Sequence, residues 1–153
     1  VAWRDGFVTQ ANRRALYSQE MLRLSTELAD HPFNESAKLK GEARSRACGS
    51  ILRLSADEGA ERSLIDIGLR ASTCAVGQAS AALFLQSAGG RTGSDYEQAL
   101  SQIEAWLSGS DAKPEWPGLD AIEAARAYPA RHGAIVLPWK AAIDALSPRN
   151  QGS

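Results

Sequence analysis

Apolar positions along the chain recur with two different periods. In residues 14–30, "RALYSQEMLRLSTELAD", Tyr17, Met21, Leu24 and Leu28 are spaced by four, three and four, which places them on one face of a helix. "HPFNES" follows, and Pro32 ends the helix and biases His31 towards extended geometry. The period then falls to two. "GSILRLSAD" carries Ile51, Leu52 and Leu54, and in "SLIDIGLRAS" Ile65, Ile67, Leu69 and Ala71 alternate with Asp66, Gly68 and Arg70. The Gly-bearing "ADEGAER" between them predicts a hairpin, and "ESAKLKGEARS" ahead of them supplies a short third strand.

A helical period returns after residue 72. "TCAVGQASAALFLQSAGG" reads as a helix of small residues stopped at Gly89-Gly90. "SDYEQALSQIEAWLSG" reads as a second, capped by Ser94 with Glu97, with Tyr96, Leu100, Ile103 and Leu107 turned inward. "SGSDAKPEWP" is a loop in which Trp116 serves as an apolar anchor. "GLDAIEAARA" is a short helix, and "LPWKAAIDAL" a last helix with Pro138 in its first turn. The predicted fold class is α+β: a small antiparallel three-stranded sheet packed against a layer of helices. Residues 1–12 are expected to form a flexible N-terminus, 13–147 one domain and 148–153 a tail.

Composition narrows the function classes. The 153 residues suit one domain, and 44% of them are apolar, enough for a real core. With 17 Lys and Arg against 18 Asp and Glu, the net charge of −1 argues against a nucleic-acid or anionic-membrane surface. No apolar run approaches the roughly 20 residues needed to cross a bilayer. The opening stretch lacks a signal-peptide pattern, so a cytoplasmic location is expected. In that compartment a structural disulfide between the two cysteines, Cys48 and Cys74, is not expected.

The candidate chemistry centres on these thiols. Cys48 precedes the flexible Gly49 at the mouth of a strand. Cys74 falls in the first turn of the small-residue helix, where unpaired N–H groups and the helix dipole favour thiolate. The two can therefore share one edge of a hairpin-plus-helix unit, although two buried core thiols would also satisfy the pattern. No CxxC pair, zinc-finger spacing, Gly-rich phosphate loop, HExxH or GxSxG occurs. "YPARHGAIVLPWK" sets Arg131 and His132 beside an apolar run, as in the wall of a site.

Taken in order, "LY", "ACGS" leading into a strand, "TCAVGQASAALF" and "YPAR…LPWKA" resemble the U-type iron–sulfur assembly proteins, the NifU N-terminal, IscU and SufU group. The resemblance runs from about Leu16 to Leu146, and "SGSDAKPEWPGLDAIEAARAYPAR" is similar to the insertion of the SufU branch. It implies a SufE/NifU-like fold and a scaffold for cluster assembly, fed by a cysteine desulfurase and working with other assembly proteins. The family binds zinc or a nascent cluster through three cysteines and an aspartate. Here Cys48 and Cys74 match two of these positions. Ser50 stands where the aspartate is expected, and Ala134 where the third cysteine is expected. Ser50 and His132 are weak substitute metal ligands, Arg131 is the retained site cation, and Cys74 is the expected sulfur acceptor. An iron–sulfur cluster or zinc is the implied cofactor, and a homodimer sharing thiols between chains would restore four ligands. Two alternatives stand beside the scaffold: a SufU-like sulfurtransferase accepting persulfide, and a non-catalytic docking protein with a decayed metal site.

Overall fold

The computed structural model of the protein describes residues 19–148. Helix α1 (Gln19–Thr26) buries Met21 and Leu24 and tightens into a 3-10 turn, Glu27–Asp30, ahead of Pro32. Leu28 packs partly on the core, as the helical spacing requires, while Tyr17 lies outside the described residues. Three strands follow, β1 (Leu39–Ser45), β2 (Ser50–Glu58) and β3 (Leu64–Ser72), in an antiparallel sheet of order β1-β2-β3.

One face of the sheet turns Leu52, Leu54 and Leu69 into the core. The other face carries Arg53, Ser55, Gly68 and Arg70, and the segment after Pro32 crosses it. The Leu69 N–H donates to the His31 carbonyl at 2.8 Å, and the Asn34 N–H donates to Ser55 Oγ at 2.9 Å. Phe33 is thereby pressed between the guanidinium groups of Arg53 and Arg70, 4.6 and 5.0 Å from its ring centre.

The clean alternation predicted for β3 does not survive at its start. Ser55 pairs with Gly68 but Asp57 pairs with Ile65, so β3 holds one extra residue opposite Ala56. Asp66 takes the left-handed φ of 52° at this bulge. The faces switch there, leaving Ile65 37% exposed and bringing Leu64 fully inside. Ile65 is therefore not an inward residue, contrary to the period-two pattern.

Helix α2 (Ala75–Ala88) lies in the middle of the helical layer, with Val76, Ala79, Ala81, Ala82, Phe84 and Ala88 buried. Helix α3 (Gly93–Leu107) buries Tyr96, Ala99, Ile103, Trp106 and Leu107, whereas Leu100 is only half-buried. Its capping box is formed by Thr92 with Asp95 rather than by Ser94 with Glu97. The reason is upstream. The Leu64 N–H donates to the Arg91 carbonyl and the Gly90 N–H donates to the Leu64 carbonyl, which pins the chain so that Thr92 arrives at the helix start.

Trp116 anchors the following loop, as its sequence setting suggests. It is 97% buried, donates its indole N–H to the Leu83 carbonyl at 3.1 Å, and stacks on Phe84 at 5.5 Å. Trp139 meets both rings edge-on, and Tyr96 closes the cluster with its hydroxyl donating to the Ala88 carbonyl at 2.7 Å. The short helix expected at residues 118–127 is a 3-10 segment, Leu119–Ala127, kinked at Ile122. Two helices end the layer, α4 (Pro129–Ile135) and α5 (Leu137–Ala145), the latter packed on β1, where the Glu42 N–H donates to Asp144 Oδ2 at 3.0 Å. No helix among the described residues is long and apolar enough to cross a membrane.

Candidate functional site

The turn between β1 and β2, residues 46–49, carries Cys48 at the surface. Gly49 closes this turn at a φ of 70°, a conformation that side chains with a Cβ rarely adopt, so the glycine beside the thiol is a geometric requirement. The strands deliver Ser45 and Ser50 as a facing pair at the base of the turn. The Cys48 thiol donates to Ser45 Oγ at 3.4 Å and lies 3.1 Å from Ser50 Oγ. Ser50 Oγ in turn lies 2.8 Å from Thr73 Oγ1, at the far end of β3.

Cys74 follows Thr73 and is the N-cap residue of α2, extended and half-buried, with its carbonyl accepting from the Gln78 N–H at 2.9 Å. The two cysteines thus occupy the same end of the sheet, and the hydroxyls of Ser50 and Thr73 connect the Cys48 thiol to the residue before Cys74. Sequence position already put Cys74 at a helix start. At Cys48 the surroundings bias the protonation of the thiol. Burial opposes the Cys48 thiolate, but hydrogen bonds from Ser45 and Ser50 and the positive charge of Arg131 outweigh it, and the thiol sits below its ordinary range.

Helix α4 supplies the third wall. Arg131 lies in its first turn, half-buried, with its charge acting on Cys48. Gly133 faces Ser45 so closely that a Cβ there would overlap the serine hydroxyl. Ala134, the position that the resemblance marks for a third cysteine, is 1% exposed. His132 Nε2 lies 3.0 Å from the Arg126 carbonyl, and the residue lines a separate cleft of about 200 Å³ with Glu104 and Lys140. The structure therefore gathers Cys48, Ser50, Cys74 and Arg131 around one end of the sheet, while His132 is engaged with Arg126.

Ser45, Thr73 and Gly133 are site residues that the sequence reading did not single out. Ser45 and Ser50 bracket the Cys48 turn symmetrically, which was the available signal. Gly133 carried none, because its role depends on a contact between helix and strand.

Among the described residues no three His, Cys, Asp or Glu side chains gather as metal ligands. One chain offers two thiols and a serine hydroxyl already shared between Cys48 and Thr73. That set does not fit a resident zinc, which takes four ligands or three plus an exchangeable one.

No family model matches the sequence, and no curated protein does. Solved structures do match. A nitrogen-fixing NifU-like protein (N-terminal) from Brucella abortus superposes with a TM-score of 0.79 at 20% identity, over 92% of this chain and 96% of that one. The fold is NifU-like. A putative iron–sulfur cluster assembly scaffold protein for the SUF system from the thermophilic Fervidobacterium islandicum AW-1 shares this NifU-like fold. It has a TM-score of 0.75 at 22% identity, over 88% of this chain and 98% of that one. The three-stranded sheet and helical layer predicted from the sequence are the architecture of these neighbours.

Proposed function

We propose that this chain is a U-type protein of iron–sulfur cluster assembly, receiving sulfur from a cysteine desulfurase and holding cargo through Cys48 and Cys74. One observation carries the reading. On a NifU-like fold, both cysteines stand at one end of the sheet, with Cys48 linked through Ser50 to Thr73, the residue before Cys74, and with the charge of Arg131 acting on Cys48. The cluster is cargo here, and two thiols per chain would bind it between two copies of the chain, completing four sulfur donors. Anaerobic reconstitution with iron and sulfide tests this. The expected result is about one cluster per two chains, lost in both Cys48→Ala and Cys74→Ala. Protein that stays monomeric and free of iron and sulfide would remove the scaffold reading.

A second reading, sulfur acceptance, is favoured at Cys48 by its exposure and its lowered thiol. The Cys48 thiolate attacks the outer sulfur of a donor persulfide. A new S–S bond forms, the donor's S–S bond breaks, and the donor cysteine leaves as thiolate, so the exchange is redox-balanced. Incubation with desulfurase and cysteine should add one sulfur mass to Cys48. Mass gained at Cys74 instead would reassign the acceptor.

A further inference from the structure

Cys48 sits on an exposed turn, yet its sulfur has a fixed environment. Of the two hydroxyls beside it, Ser50 Oγ is anchored by Thr73 Oγ1 at 2.8 Å. Among the described residues Ser45 Oγ has no such hydroxyl anchor. It is backed instead by Gly133 of α4, at a separation too short for any residue with a Cβ. Ser45 is itself 92% buried, at the last position of β1.

We propose that Ser45 and Gly133 are positioning residues for Cys48, Gly133 letting α4 press the Ser45 hydroxyl into the place where it bonds the Cys48 sulfur. This rests on the reading of Cys48 as the sulfur-accepting thiol and names what prepares it in place of a metal. A thiolate or perthiolate needs hydrogen-bond donors, and once the Cys48 thiol has lost the proton it donates to Ser45 Oγ, the Ser45 and Ser50 hydroxyls beside it can turn to donate to the sulfur, adding to what water supplies at the exposed turn. A side chain at residue 133 forces Ser45 to move, because the strand and the helix cannot separate without disturbing Ala134 and Ile135 in the core. Gly133 therefore acts on Cys48 through Ser45.

The experiment is competitive alkylation of the full chain with iodoacetamide at neutral pH, reading Cys48 and Cys74 separately by peptide mass spectrometry. Cys74 is the internal control for folding. Ser45→Ala should slow Cys48 by about three- to ten-fold, the range expected for one lost hydrogen bond, and leave Cys74 unchanged. Gly133→Ala should slow Cys48 by a similar factor. The double variant should be no slower than Ser45→Ala alone, since both act through one hydroxyl. An unchanged Cys48-to-Cys74 ratio in Ser45→Ala overturns the proposal, as do additive effects in the double variant. Ser45→Ala, a conservative change, keeps the test open should Gly133→Ala fail to fold. Loading with cysteine persulfide is read in parallel. If wild type takes up no sulfur while the alkylation pattern holds, the positioning role stands and the sulfur-acceptor reading falls.

Discussion

The aromatic cluster and the cysteine end of the sheet are built on opposite principles. Phe84, Tyr96, Trp116 and Trp139 meet ring on ring with almost no exposed surface, and their order comes from packing. Cys48, Ser45, Ser50 and Thr73 meet hydroxyl on sulfur at an exposed turn, and their order comes from directed bonds on a rigid frame. The difference teaches where stability and reactivity reside. One region can be damaged to lose the fold, the other to lose the chemistry, and each should leave the other quantity almost untouched.

The largest expected effect breaks the first region. Trp116→Ala removes a stacked ring and the indole N–H that the Leu83 carbonyl accepts. It should cost about 3–5 kcal/mol in chemical denaturation, with the native-state Cys48-to-Cys74 alkylation ratio unchanged. A shift in that ratio would mean that the two regions are coupled. The converse substitution, Cys48→Ala, should abolish sulfur uptake and yet change stability by less than about 0.5 kcal/mol, as an exposed turn residue should.

A pH profile sharpens the comparison further. Because the Cys48 thiol is held below its ordinary range, its alkylation rate should rise at lower pH than that of a free thiol such as glutathione. Arg131→Ala should move the rise upward, towards the ordinary value, and added salt should shrink that difference. A profile matching the free thiol would remove the electrostatic account of the site. The smallest effect belongs to neither region. Glu35→Gln, at the exposed pair with Arg70, should alter stability by less than about 0.5 kcal/mol, measured by urea denaturation.

Sequence legibility followed the range of the interactions. Met21 and Leu24 revealed their helix because a helical face is a local pattern, and Leu52 and Leu54 revealed their strand for the same reason. Cys74 was legible as a helix start because small residues follow it without a break. The inward face of β3 was misread at Ile65, since the extra residue shows only when β3 is laid against β2. The cap of α3 was misplaced by two residues because both candidate boxes fit locally, and the backbone bonds of Leu64 to Gly90 and Arg91 decide between them. At the site, the two cysteines were visible as residue types. The electrostatic argument at the helix start drew attention to Cys74, while the bonds from Ser45 and Ser50 that bias Cys48 belong to the folded hairpin. The bond of His132 to the Arg126 carbonyl depends on how α4 is rotated against the 3-10 segment, and spacing along the chain carries no information about that.

The bulge at Asp66 has a consequence for the permitted length of the chain. Gly68 already faces Ser55 and Ile65 already faces Asp57, so Asp66 and Ile67 together stand opposite Ala56, and Asp66 is the one of the two with a left-handed backbone. Removing Asp66 would therefore preserve each of those partnerships, keep Leu64 inside and Ile65 outside, and delete a backbone conformation unfavourable for aspartate. Asp66 thus marks a point at which β3 can vary by one residue without displacing Thr73 and Cys74 at its other end.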